Sequence, residues 1–197
     1  MSELLLLSGG VDSIAMAAWR RPAVCLTVDY GQIPAEAEID AANVVCATLD
    51  LRHDVVRLPL RNLGSGLLAG ETMSPLSDND EFWPFRNQLL ITIGAMRAAR
   101  ESISAVVIGT VRNDSRHSDG RPAFLSSMAR LLEMQEGALT LMAPAAQMDT
   151  SELIRASGVP LGVLGWAHSC HRSKLACGDC PGCYKHSDMM QRLGLNR

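Results

Sequence analysis

Apolar and polar positions fall in alternating blocks along this chain. Short apolar runs at Leu4–Leu7, Val24–Val28 (broken only by Thr27) and Ala105–Ile108 have the length of strands buried on both faces of a parallel sheet. His53–Leu58 and Leu139–Met142 read as two more strands, stopped by Pro59 and by the nearby Pro144. Between the runs, apolar residues recur at helical spacing. The pattern predicts helices entered near Ile14 and over Pro34–Leu49, Arg86–Arg100, Ala123–Glu136 and Thr150–Ser157. In the second of these, Ala37, Ala41, Val44, Val45, Thr48 and Leu49 offer an inner face. Asp149 is placed to N-cap the last helix and Gly158 to end it.

Strands alternating with helices build βαβ units, and hence an α/β fold with a doubly wound, mainly parallel sheet and right-handed crossovers. Ligands of such sheets bind beyond the carboxyl ends of the strands. The polar segments Ser8–Ser13, Asp29–Gln32 and Thr110–Asp119 fall at those ends. Leu63–Glu81, rich in Gly, Ser and Asp, reads either as a lid or as a long surface loop.

The first polar segment carries the most information. Ser8-Gly9-Gly10-Val11-Asp12-Ser13 lies between the first strand and the first helix. Two glycines allow a tight turn and leave room for a ligand beside the main chain. Amides at the helix start then face an anion, aided by the helix dipole. Ser8 and Ser13 add hydroxyls, and Asp12 can hold Mg²⁺ or order the loop. No G-x-x-x-x-G-K-[ST] is present and no lysine follows the glycines, so this is not a Walker loop. The competing reading is an ordinary glycine turn.

Composition narrows the classes. At 197 residues with 47% hydrophobic and 20% charged content, the chain can bury a core as one domain with a small appendage. No apolar run approaches the ~20 residues that span a bilayer. Met1 leads straight into the first strand, which leaves no signal peptide and makes a cytoplasmic location the expectation. A net charge of −3 and only 4% aromatic residues argue against direct nucleic-acid binding.

Four of the six cysteines crowd the C-terminus as Cys170, Cys177, Cys180 and Cys183, with Gly178 and Gly182 between them. In a reducing compartment this spacing reads as a metal site, a structural four-thiolate Zn²⁺ centre. A redox C-x-x-C or an iron–sulfur cluster is the alternative. His168, His171 and His186 lie nearby but are not needed to complete the shell. Cys25 and Cys46 read as buried core thiols. The chain is thus expected to divide into an α/β part carrying the glycine loop over 1–165 and a cysteine tail with a terminal helix over 166–197.

The S-G-G-V-D-S segment resembles the PP-loop of the ATP pyrophosphatase superfamily, whose members cleave ATP between the α- and β-phosphates and activate a substrate oxygen with the AMP half. The order S-G-G-V-D-S, D-Y-G-Q, F-R-N-Q, G-T-V-R-N-D and C-H…C-G-D-C-P-G-C is similar to that of the 7-cyano-7-deazaguanine synthase family over nearly the whole chain. Members convert 7-carboxy-7-deazaguanine to the nitrile precursor of queuosine and archaeosine, using ATP, ammonia and zinc. The resemblance implies that the carboxylate is adenylated and aminated to an amide, which is activated again and loses AMP.

Carried onto this chain, the resemblance gives Ser8, Gly9, Gly10, Val11, Asp12, Ser13, Asp29, Tyr30 and Gly109 to ATP. It gives Gln32, Arg86, Asn87, Arg112, Asp114, Asp119 and Phe124 to the substrate. Asp12, Ser13, Arg86 and Asp114 are the candidate catalytic residues. Independently, a purine-like base bearing a carboxylate needs both acidic acceptors and cationic donors, and Arg86, Arg112, Asp114 and Asp119 supply both; a solvated loop with local ion pairs is the plainer reading of Arg112, Asp114, Arg116 and Asp119.

Three departures bear on the substrate side. Ile33-Pro34 stand where the family continues with Arg-His. Two residues after the last cysteine the family has an arginine, and here His186 stands three beyond Cys183. Thr110–Asp119 lacks its aromatic Ser-Gly-Tyr pattern. Relatives in antiphage defence loci depart similarly, which leaves the acceptor as ammonia or a protein amine, with a homodimer or a partner protein possible. A tRNA-thiolating enzyme or a non-catalytic nucleotide-binding module are the remaining alternatives.

Overall fold

The computed structural model describes residues 1–194; the last three positions of the tail lie outside the described residues. Five strands, β1 (Glu3–Leu6), β2 (Val24–Asp29), β3 (His53–Arg57), β4 (Ala105–Val107) and β5 (Thr140–Met142), form one sheet in the order β3-β2-β1-β4-β5. Every pairing is parallel, so the fold is the doubly wound α/β class. The helices are α1 (Val11–Arg20), α2 (Ala35–Thr48), α3 (Gly66–Ala69), α4 (Arg86–Arg100), α5 (Pro122–Glu133), α6 (Thr150–Ser157), α7 (Leu161–Leu164) and α8 (Pro181–Arg192).

Alternation along the strands sorts side chains into two layers. Leu5, Leu7, Cys25 and Val107 pack with α1, α2, α6, α7 and the α8 methionines Met189 and Met190. Leu4, Leu26, Val106 and Ile108 pack with α3, α4 and α5. Each fully buried leucine of this kind contributes ~2–3 kcal/mol by removing its surface from water. The chain leaves β1 toward β2 and β3, then crosses back so that β4 lies on the other side of β1. The strand ends there form the crevice where open α/β sheets bind ligands.

Several boundaries differ from the expectation, with local causes. Strand β1 starts at Glu3, whose carboxylate pairs with Arg20 at the end of α1. Helix α5 begins at Pro122, a residue suited to the first helical position, and stops at Glu133 rather than Glu136. Helix α6 carries the expected Asp149 cap, completed by Glu152 into a capping box, and ends on Gly158 at φ 62°. The Leu63–Glu81 stretch is not uniformly loose. Leu68 and Ala69 of α3 are buried in the core beside Tyr30 and Trp83, while Leu76 is exposed.

Candidate functional site

The turn after β1 uses its two glycines for different purposes. Gly9 sits at φ +72°, and a Cβ there would lie 2.7 Å from the Glu38 carbonyl oxygen. It lets the loop rest on α2. Gly10 is the N-cap of α1 in ordinary extended backbone (φ −80°), and no side chain caps the helix. The first-turn amides of α1 therefore lack intrahelical acceptors and form an anion seat. Ser13 Oγ donates to the Gly10 carbonyl at 2.9 Å and Ser8 Oγ to Ser13 Oγ at 3.2 Å. The His168 amide donates to the Gly9 carbonyl at 2.9 Å, which ties the C-terminal segment to the loop. Gly109, after β4, comes so close that a Cβ would stand 3.2 Å from Ser13 Cα.

These segments open onto a cavity of about 960 Å³. Of the residues singled out from sequence, Ser8, Gly10, Val11, Asp12, Ser13, Tyr30, Arg86, Asn87, Gly109, Arg112 and Asp114 line it. Gly9, Asp29, Gln32, Asp119 and Phe124 do not, although each but Phe124 braces a residue or loop that does. Asp29 accepts from the Gly31 amide at 2.9 Å and pairs with Arg57 at 2.9 Å. Gln32, buried, accepts from the Tyr30 amide and donates to Glu38 Oε2, each at 2.8 Å. Asp119 accepts from the Asn87 amide at 3.1 Å, satisfying the start of α4. Phe124 packs against the core under α5. Within the cavity, Arg112 turns its guanidinium to the Gln147 carbonyl and Glu152.

Other lining residues had no motif to betray them. Glu38 is brought in by α2; burial pushes its carboxyl up to about 7, which Gln32 and the Arg86 charge partly oppose. Burial likewise raises the Tyr30 phenol against the pull of Arg86. Thr27 Oγ1 donates to the Leu7 carbonyl at 2.7 Å, pinning β2 to the end of β1. Glu81 and His117, 3.3 Å apart, join the Leu63–Glu81 stretch to the segment after β4. From α8, Lys185 Nζ reaches Asp12 Oδ2 at 2.8 Å. Asp12 Oδ1 is buried without a hydrogen-bond partner, as is Thr150 Oγ1 on the same wall. An unpartnered carboxylate oxygen beside an anion seat is suited to a bound cation.

The tail brings Cys170, Cys177, Cys180 and Cys183 together with all four sulfurs within 4.8 Å of one another. Cys177 and Cys183 are 3.9 Å apart. Thiolates at ~2.3 Å from a tetrahedral ion stand ~3.8 Å from each other, so the set fits one metal ion. The amides of Arg172, Asp179 and Cys183 donate to Cys170, Cys177 and Cys180, each at 3.4 Å. Gly178 takes the left-handed turn at φ +73°, whereas Gly182 is needed for space: a Cβ would collide with the Ser169 carbonyl and the His171 ring. No histidine joins the cluster among the described residues. No helix among them is long and apolar enough to cross a membrane.

A parallel sheet of this order with a glycine turn feeding an uncapped helix defines a PP-loop type nucleotide-binding fold. Two solved structures share it. The U34-tRNA thiolase NcsA from Methanococcus maripaludis superposes with a TM-score of 0.57 at 18% identity, covering 98% of this chain and 66% of that one. NMN synthetase from Francisella tularensis gives 0.53 at 17%, covering 96% and 72%. The family is more specific. The model described as "Queuosine biosynthesis protein QueC" matches residues 2–194, and the chain belongs to that family. It is 33% identical to the 7-cyano-7-deazaguanine synthase of Desulforudis audaxviator, over 93% of each chain. It is 30% identical to that of Methanoculleus marisnigri, over 96% of this chain and 94% of the relative.

Proposed function

We propose that this protein uses ATP to activate the carboxylate of 7-carboxy-7-deazaguanine and converts it, through an amide formed with ammonia, into the 7-cyano compound. The observation that carries the reading is the single cavity joining the uncapped start of α1 to a wall bearing Arg86 and Glu38. One end suits a polyphosphate and the other a polar heterocycle. In the activation step a carboxylate oxygen bonds to the α-phosphorus while pyrophosphate leaves with the electron pair of the broken P–O bond. Ammonia then displaces AMP at the carbonyl carbon; the amide oxygen attacks a second ATP, and loss of AMP with two protons leaves the nitrile.

No side chain need act as nucleophile, so the residues position and stabilise charge. Gly10 and the amides of Val11, Asp12 and Ser13 hold the departing phosphates. Asp12 would bind Mg²⁺, which supplies charge neutralisation there. Arg86 and Arg112 offer donors to the substrate carboxylate, while Asn87 and Asp114 offer acceptors to the base. Gln32, Asp29 and Asp119 position Glu38, the β2 turn and Asn87. The four cysteines would hold Zn²⁺, which would supply a structural tie between the tail and the start of α8. The family relationship to curated 7-cyano-7-deazaguanine synthases supports the substrate. Release of AMP and pyrophosphate from ATP that depends on added 7-carboxy-7-deazaguanine is the expected result. Release of ADP, or ATP turnover indifferent to the deazaguanine, would overturn the reading.

A further inference from the structure

The phosphate loop has an electrostatic gap. Residues 8–13 contain one charged side chain, Asp12, and it is negative. The helix start contributes only partial positive charge, against a triphosphate carrying several negative charges. The arginines of the cavity are directed elsewhere. Arg86 acts on Tyr30 and Glu38, and Arg112 is held by Gln147 and Glu152.

The cation at the loop comes from the far end of the sequence. Lys185 lines the cavity, with its Nζ 2.8 Å from Asp12 Oδ2 and 3.9 Å from Asp114 Oδ1. Its position does not depend on that ion pair. Helix α8 begins on Cys180, whose sulfur accepts from the Cys183 amide, and has Pro181 at its first position. Gly182 presses on the Ser169 backbone, and Met189 and Met190 are buried in the core. The helix is thus clamped at the cysteine cluster and at its far turns, with Lys185 carried between. Its side chain remains about half exposed toward the cavity, 46% by area.

We propose that Lys185 binds the β- and γ-phosphates of ATP and then the departing pyrophosphate, so that α8 supplies the lysine that the glycine loop lacks. The proposal rests on the ATP-using reading above and deepens it. Asp12 and Asp114 are among its resting partners. When a cation occupies Asp12, whose Oδ1 is already buried and unpartnered, the ammonium is left facing the anion seat at the start of α1. A charge-assisted hydrogen bond to phosphate is stronger than a half-exposed ion pair, so the exchange favours the ligand. The cysteine cluster acquires a second consequence: by fixing the first turn of α8 it fixes where that ammonium stands.

The test compares Lys185→Met, which keeps the aliphatic stem, and Lys185→Arg with the wild-type protein. Affinities for ATP, pyrophosphate and AMP are measured by calorimetry in the presence of Mg²⁺, alongside metal content and melting temperature. Lys185→Met should bind ATP and pyrophosphate about tenfold or more weakly. It should bind AMP, which lacks the outer phosphates, within about twofold of the wild type, and Lys185→Arg should recover most of the loss. Wild-type affinity for ATP and pyrophosphate in Lys185→Met would overturn the proposal and leave the ATP-using reading intact. Equal losses for ATP and AMP would also overturn it, since Lys185 would then merely order the loop. A wild-type protein that binds no ATP would remove both readings. Should Lys185→Met not fold, the salt sensitivity of pyrophosphate binding by Lys185→Arg decides, loss of tight binding being the contrary result.

Discussion

Substituting the two glycines of the turn separately should produce opposite phenotypes. At Gly9, alanine would be held at φ +72°, a left-handed conformation costing ~1–2 kcal/mol. Its Cβ would also sit 2.7 Å from the Glu38 carbonyl, too close for either backbone to stay in place. With ~1–2 kcal/mol added for displacing α2 from the loop, Gly9→Ala should cost ~2–4 kcal/mol. In a chain of this size 1 kcal/mol moves the melting temperature by ~2–4 °C, so a fall of roughly 5–15 °C is expected. At Gly10 the backbone is open to any residue, and a Cβ meets nothing nearer than Ser8 Oγ at 3.5 Å. Gly10→Val should therefore melt within ~2 °C of the wild type, yet lose ATP binding because its side chain fills the anion seat. Scanning fluorimetry and calorimetric titration with ATP measure the two effects. A Gly10→Val protein that folds and binds ATP like the wild type would refute the placement of the phosphates, and an unperturbed Gly9→Ala would refute the packing argument.

Three further outcomes follow from the geometry. Cys180→Ser should lose the bound metal and, through α8, lower the melting temperature; metal analysis should find about one equivalent of zinc in the wild type, whereas an iron–sulfur absorption band would contradict the zinc assignment. The Glu38 carboxyl, raised by burial to about 7 in the folded protein, binds its proton more tightly there than in the unfolded chain. Its stabilising effect is complete below ~4.5 and lost as pH rises through about 7, with an upper bound of ~3 kcal/mol; Glu38→Gln should flatten the decline in melting temperature across that window, and an unchanged slope would exclude the assignment. Phe85 opens α4 at φ +56° with 75% of its surface exposed, so Phe85→Gly should relieve ~1–2 kcal/mol of strain, partly offset by the entropy of glycine, and raise the melting temperature by ~1–4 °C.

What the sequence disclosed divides along physical lines. All five strands were placed to within a residue or so: β1, β2 and β4 by apolar runs buried on both faces, and β3 and β5, which are less buried, by short runs closed by Pro59 and Pro144. Caps were readable where a side chain makes the bond itself, as Asp149 does. The loop Ser8–Ser13 was legible because glycine and hydroxyl residues there have few other uses together. Partnerships set by tertiary contact were not. Lys185 and Asp12 are 173 positions apart, and nothing local to either announces the other. Glu38 sits on a helix face whose neighbours are small, and only the folded α2 turns it toward Arg86. Gly9 and Gly10 look equivalent in sequence, yet one serves packing and the other opens to the cavity. Helix α8 was legible only as a terminal helix without bounds, because its first turn is built from residues of the cysteine cluster.

The central claim is that this cavity aminates an ATP-activated deazaguanine carboxylate. The most direct measurement incubates the protein with ATP, Mg²⁺, 7-carboxy-7-deazaguanine and isotopically labelled ammonium, and follows the products by mass spectrometry. The account predicts a nitrile carrying the labelled nitrogen, with two AMP and two pyrophosphate released for each nitrile formed. Unlabelled product, deazaguanine attached instead to a protein amine, or no consumption of ATP would contradict it.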